Sequence, residues 1–131
     1  AFFAPWDEYN FVTLTLRSLA RKERVLAASD LTVSPTYVPH LVNASLDLLI
    51  HGGSGIWHLT NEGATSWAEL AARTADLRGY DAALVVPTPC SSLGWTARRP
   101  VYSALASEKS SGLLPPLEAA LARYAEECTL V

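Results

Sequence analysis

A tyrosine with a lysine four residues later can donate a proton to a nascent alkoxide, because the lysine lowers the phenol pKa. The chain has two lysines, Lys22 and Lys109, and Ser18 and Leu105 stand four positions before them. The pair is absent. A dinucleotide pyrophosphate asks for G-x-x-G-x-x-G at a helix N-terminus, where backbone N–H groups and the helix dipole meet phosphate. The seven glycines do not give that spacing. P-loop, G-x-S-x-G and H-E-x-x-H motifs are also missing. His40, His51 and His58 have no metal-triad spacing. His58, inside the apolar run Ile56–Leu59, reads as a core or edge residue, His40 as local to a helix start, and His51 as a partner of a helix C-terminal dipole. Cys90 reads as a half-buried thiol rather than a reactive one. Glu118, Glu126 and Glu127 read as a solvated helix face. The chain carries no recognisable catalytic centre of its own.

The elements that would position a site are legible in part. Residues 8–22 alternate like a strand over Val12–Leu16, yet Val12, Leu16, Leu19 and Ala20 make a helical stripe. The length and the Arg21-Lys22-Glu23-Arg24 end favour a helix. Val25–Ala28 reads as a short buried strand, followed by a loop from Ser29 to Pro35. A helix begins at Pro39 and stops at His51-Gly52-Gly53. Its Leu41, Val42, Leu46, Leu48, Leu49 and Ile50 lie nearly all round, which predicts a sandwiched helix. Ile56–Leu59 predicts a strand. Ser66 and Glu69 form a capping box ahead of a helix ending at Gly79. Ala82–Val86 predicts a second buried strand ended by Pro87, and residues 87–101 run without a regular pattern. The last helix starts at Pro116 with Leu117, Ala120, Leu121 and Tyr124 on one face. Trp57 and Trp67 read as core. The sum is a small α/β domain with a few short strands and about four helices.

Composition narrows the class. At 131 residues, half of them hydrophobic, the chain is one domain with material for a core. A net charge of −3 and scattered cations argue against nucleic acid as a partner. No apolar run approaches the ~18 residues of a membrane span, and no signal peptide is visible. Cys90 and Cys128 make neither a disulfide framework nor a zinc site, which points to a reduced, cytoplasmic setting. Ala1-Phe2-Phe3-Ala4-Pro5 reads as the end of a buried strand, and the chain has no Met, so residues 1–131 are expected to be one domain of a longer protein.

Four ordered blocks carry a resemblance: Asn10-Phe11-Val12; Ser34-Pro35-Thr36-Tyr37 through Val42; Gly55-Ile56-Trp57-His58-Leu59-Thr60-Asn61-Glu62-Gly63-Ala64-Thr65-Ser66-Trp67; and Arg99-Pro100-Val101-Tyr102-Ser103-Ala104-Leu105. Together they resemble the C-terminal half of the dTDP-4-dehydrorhamnose reductase family, within the extended short-chain dehydrogenase/reductases, over about residues 5 to 125. The resemblance implies a substrate-binding lobe normally packed on an NADPH-binding Rossmann domain that is absent here. The lobe itself would bind no cofactor. It implies a parent that reduces a 4-keto-6-deoxy sugar linked to dTDP, with a self-associating lobe once the Rossmann half is removed. By motif position Asn10 corresponds to a nucleotide-sugar contact, although an Asn there also suits a helix N-cap. Arg99 corresponds to a diphosphate contact, for which the guanidinium fork is suited; an exposed ion pair is its alternative. Thr36 would line the pocket floor, and Trp95 would stack or pack. His40 stands near a place where the family commonly has Asp, and Leu31 follows Asp30 where Gln is common. A non-catalytic nucleotide-sugar-binding or regulatory module of the same fold is the alternative function.

Overall fold

The computed structural model describes residues 1–129. Among these residues four α-helices and seven short strands follow one another, so the expected small α/β lobe is what forms. Strand β1 (Phe2–Phe3) leads to α1 (Phe11–Ala20), β2 (Val25–Ala28), β3 (Thr32–Val33) and β4 (Thr36–Tyr37). Helix α2 (Val38–Ile50), β5 (Thr65–Ser66), α3 (Trp67–Leu77), β6 (Val85–Thr88), β7 (Tyr102–Ser103) and α4 (Leu117–Glu127) follow. β1 pairs with β4 and β2 with β6, both in parallel, while β3 lies between antiparallel β5 and parallel β7.

Capping decides the helix boundaries. Asn10 accepts from the Thr13 amide, which settles the ambiguous segment as a helix. Ser66 and Glu69 complete the capping box, each reaching the other's backbone N–H. Gly52 and Gly79 take φ of 73° and 68° just beyond α2 and α3, the left-handed turn that glycine enters without a Cβ penalty.

Two clusters make the core. In one, Phe3, Val12, Leu16, Tyr37 and Leu70 meet the α4 face of Leu117, Leu121 and Tyr124. In the other, Leu19, Ala27 and Val85 meet the small face of α3, formed by Ala68, Ala71 and Ala75. Small residues let α3 approach the β2–β6 pair closely.

Four expectations are corrected. Helix α2 buries Ala44 alone, and Leu49 and Ile50 are 73% and 77% exposed. Its apolar circumference meets neighbours on one side, and among the described residues nothing packs over the other. Ile56–Leu59 forms no strand, because this stretch finds no ladder partner; Ile56 and His58 are exposed. Ala82–Leu84 is a single 3-10 turn, and the strand starts at Val85 and continues through Pro87 to Thr88. A two-stranded pair leaves an open edge, where a missing N–H costs no ladder bond. Trp57 is half-buried outside both clusters, its indole N–H on the Ser54 carbonyl and its ring 5.6 Å from the Lys109 ammonium.

Candidate functional site

The small residues of β2 open a space as well as packing α3. Ala27 and Ala28 are too short to fill the volume beside them, and a cavity of about 530 Å³ lies there. Phe11 and Trp67 form one wall, edge to face at 4.8 Å and 70°. Both are the first residue of a helix, placed by the cap before them: Asn10 for Phe11, Ser66 for Trp67. Leu31 and Val33 extend the apolar lining, and Ser103 of β7 adds a hydroxyl.

The opposite rim comes from the irregular segment after β6. Trp95, Arg99 and Pro100 face the cavity, with the Arg99 guanidinium 5.6 Å from the Trp95 ring centroid. That contact orients the guanidinium while leaving its N–H fork in solvent. Arg99 makes no ion pair with a carboxylate among the described residues. The segment is tied down by Asp30, whose carboxylate accepts the Cys90 amide at 2.8 Å. Pairing of β3 with β7 fixes its far end, assisted by the Val101 carbonyl, which accepts the Thr32 amide at 2.8 Å. The result is an apolar slot with a cation and an exposed indole at its mouth. It can seat a flat ring inside and hold an anionic group at the rim.

The four residues expected at a site therefore divide. Trp95 and Arg99 come together on the rim. Asn10 does not line the cavity: its amide donates to the carbonyls of Ala4 and Asp7 and to the Thr13 hydroxyl, while its oxygen caps α1. Thr36 is buried beside Thr60, hydroxyl to hydroxyl at 2.9 Å. Phe11 and Trp67 were not anticipated as lining residues. Each directly follows a helix cap, and that sequence signal points an aromatic at a helix mouth rather than into its middle.

A second polar arrangement is built into the first core cluster. Thr13 and Tyr124 share a hydrogen bond of 2.6 Å, and burial followed by the neighbouring Cys128 pushes the Tyr124 phenol upward. Tyr37 donates its hydroxyl to Glu127, which also accepts Arg123 at 2.5 Å. Glu127 is therefore no part of a plain solvated face: the Tyr37 hydroxyl, then Arg123, holds its carboxyl below the ordinary range. The described residues contain no group of three or more His, Cys, Asp or Glu placed to hold a metal.

Residues 3–129 match the RmlD substrate binding domain. Among curated relatives, a dTDP-4-dehydrorhamnose reductase of Streptomyces griseus is 38% identical over 113 residues, covering 81% of this chain and 37% of that protein. A dTDP-4-keto-6-deoxy-D-glucose reductase of Streptomyces niveus is 32% identical over 108 residues, covering 81% and 38%. The crystal structure of a dTDP-4-dehydrorhamnose reductase from Bacillus anthracis in complex with NADP superimposes with a TM-score of 0.84 at 28% identity, covering 96% of this chain and 46% of that one. The chain thus spans less than half the length of the relatives it matches. With the family's motif blocks, its fold and its extent all in agreement, the chain belongs to the RmlD substrate binding domain family.

Proposed function

We propose that this chain is the nucleotide-sugar-binding lobe of an NADPH-dependent reductase acting on dTDP-4-dehydrorhamnose or a similar 4-keto-6-deoxy nucleotide-sugar. The observation that carries the reading is the slot of about 530 Å³ with Arg99 and Trp95 at its mouth, in a chain of this family. Arg99 offers a two-pronged donor to diphosphate oxygens, and Trp95 stacks against a ring of the ligand. Phe11 and Trp67 supply the apolar wall. Asn10 and Thr36 act one step back: Asn10 sets the start of α1 and so the Phe11 ring, and Thr36 fixes β4 to residue 60.

These 131 residues do not fit the nicotinamide cofactor, since no glycine-rich turn stands at any of the helix starts. The cofactor and the proton donor are assigned to a Rossmann half elsewhere in the parent protein, and no step of the reduction is assigned to residues of this lobe. The bare face of α2 and the exposed Phe2 of β1 suit such a neighbour. A cytoplasmic location agrees with two free thiols, Cys90 and Cys128. Among the described residues no helix is long and apolar enough to cross a membrane.

Calorimetric titration with dTDP and dTDP-rhamnose tests the assignment. Arg99→Ala is expected to weaken binding about tenfold to a hundredfold, the loss of a charge-assisted contact of roughly 1.5–3 kcal/mol. Equal affinity of wild type and Arg99→Ala would remove Arg99 from the site. A full-length protein that neither binds these nucleotides nor consumes NADPH with any dTDP-4-keto sugar would overturn the function.

A further inference from the structure

Asn61 is fully buried, and its partners fix the direction of every hydrogen bond it makes. Its oxygen faces the Tyr37 backbone amide at 2.8 Å, a group that can only donate. Its nitrogen faces the Pro115 carbonyl at 2.7 Å, a group that can only accept. The amide therefore cannot be flipped, and its second N–H points at His40 Nδ1, 3.2 Å away. His40 Nδ1 must be an acceptor there, so the ring carries its proton on Nε2 and is neutral. From these contacts we propose that His40, Asn61 and the Tyr37 amide form a clasp that closes only around a neutral imidazole. Acidification then loosens the seam joining β4, residues 60–62 and the start of α4.

The seam is built around Asn61. Next to it, the Thr60 hydroxyl bonds Thr36, and the Glu62 carbonyl accepts the Leu117 amide at 2.9 Å, beside a bridge between Glu62 and Pro116. A proton on His40 Nδ1 would set N–H against N–H and strip one acceptor from a buried amide. The charged and titratable groups facing the ring are Tyr37 of β4, 4.9 Å away and edge to face, with Arg123 and Glu127 of α4. Burial, then Arg123, lowers the imidazole from its ordinary value, and Glu127 opposes this. Glu127 is already shared between the Tyr37 hydroxyl and Arg123. In the unfolded chain the ring takes up its proton near pH ~6.5, before the folded ring does. The clasp's contribution is therefore complete above that pH and is lost as pH falls from there through the lower folded value.

The test is NMR on the protein and on His40→Asp, from about pH 7.5 to about pH 5.5, a range in which an ordinary aspartate stays an ionised acceptor. The wild-type ring is expected to carry its proton on Nε2 at neutral pH. Protection of the Tyr37 amide from hydrogen exchange should fall as the ring titrates, relative to the buried Leu121 amide. In His40→Asp the same ratio should stay level, and His40→Gln, whose amide oxygen accepts without charge, repeats the comparison should the aspartate disturb folding. A proton on Nδ1 overturns the proposal. So does a ring titrating at or above the ordinary value, or a Tyr37 ratio that falls equally in wild type and variants.

Discussion

Asn10 makes more hydrogen bonds than a helix cap needs. Its oxygen accepts one, and its two N–H groups are shared among three acceptors, tying residues 4–7 to the first turn of α1. A cap replaced by alanine costs about 1 kcal/mol, and losing the buried bond to the Ala4 carbonyl, which keeps the Asp7 amide, adds roughly 0.5–1.5 kcal/mol. Asn10→Ala is therefore expected to destabilise the fold by about 1.5–2.5 kcal/mol in denaturant titration. Asn10→Asp should not rescue it, although aspartate is as good a cap, because a carboxylate would face two carbonyl oxygens with nothing to donate. Recovery to near wild type by aspartate would show that the cap alone matters. Arg99 behaves differently: it is exposed and makes no ion pair among the described residues, so its removal should change ligand affinity and leave stability within about 0.5 kcal/mol.

At the scale of elements, the cap of α3 controls the Trp67 wall of the cavity, and its strength depends on pH. The Glu69 carboxylate accepts from the Ser66 amide and the Thr65 hydroxyl, and these bonds, the backbone one first, hold its pKa below the ordinary value. A carboxyl depressed in the folded state stabilises above its unfolded value, and that contribution is lost as pH falls through the folded one. Glu69→Gln is thus expected to flatten the acid limb of the stability profile, and Ser66→Ala to cost about 1 kcal/mol at neutral pH; an unchanged acid limb in Glu69→Gln would remove Glu69 as its source. This cap was legible in the sequence, since Ser66 and Glu69 recognise each other across three residues and need no distant partner. The face of α4 was legible for the same reason. What depends on a neighbour was not. The apolar circumference of α2 says that something covers it but not what, and four residues at Ile56–Leu59 cannot announce that no strand lies alongside. Pro87 read as a stop because the open edge of β6 is a property of the pairing. The site shows the same division: Arg99 opens a motif block and Trp95 stands in the irregular segment before it, whereas Trp67 read as core because an aromatic lining a slot and one filling an interior look alike, and Phe11 carried no mark of a wall.

For the molecule as a whole, the exposed apolar surface has a consequence for how the lobe behaves in isolation. Leu46, Leu49 and Ile50 run along one side of α2, and Phe2, Trp6 and Leu26 are also more than half exposed. Both parallel pairs, β1–β4 and β2–β6, stop at two strands, whereas parallel sheets are ordinarily wider and covered on both faces. Contiguous apolar area of this kind drives association. Residues 1–131 alone are therefore expected to gain mass with concentration in light scattering, from about micromolar upward. Leu49→Lys with Ile50→Glu should shift that onset to higher concentration, because each places a charge where burial would strip its water. The pair should leave the fold intact, since neither side chain contributes to either core cluster. On the proposed two-half architecture, the same substitutions in a full-length protein should instead weaken the union of the halves, seen as an earlier thermal transition with the proposed dTDP affinity unchanged. A chain that stays monomeric at every concentration would overturn the association, and a double variant that associates as readily as wild type would place the driving surface elsewhere, with Phe2 of β1 and Trp6 just after it the next to be charged.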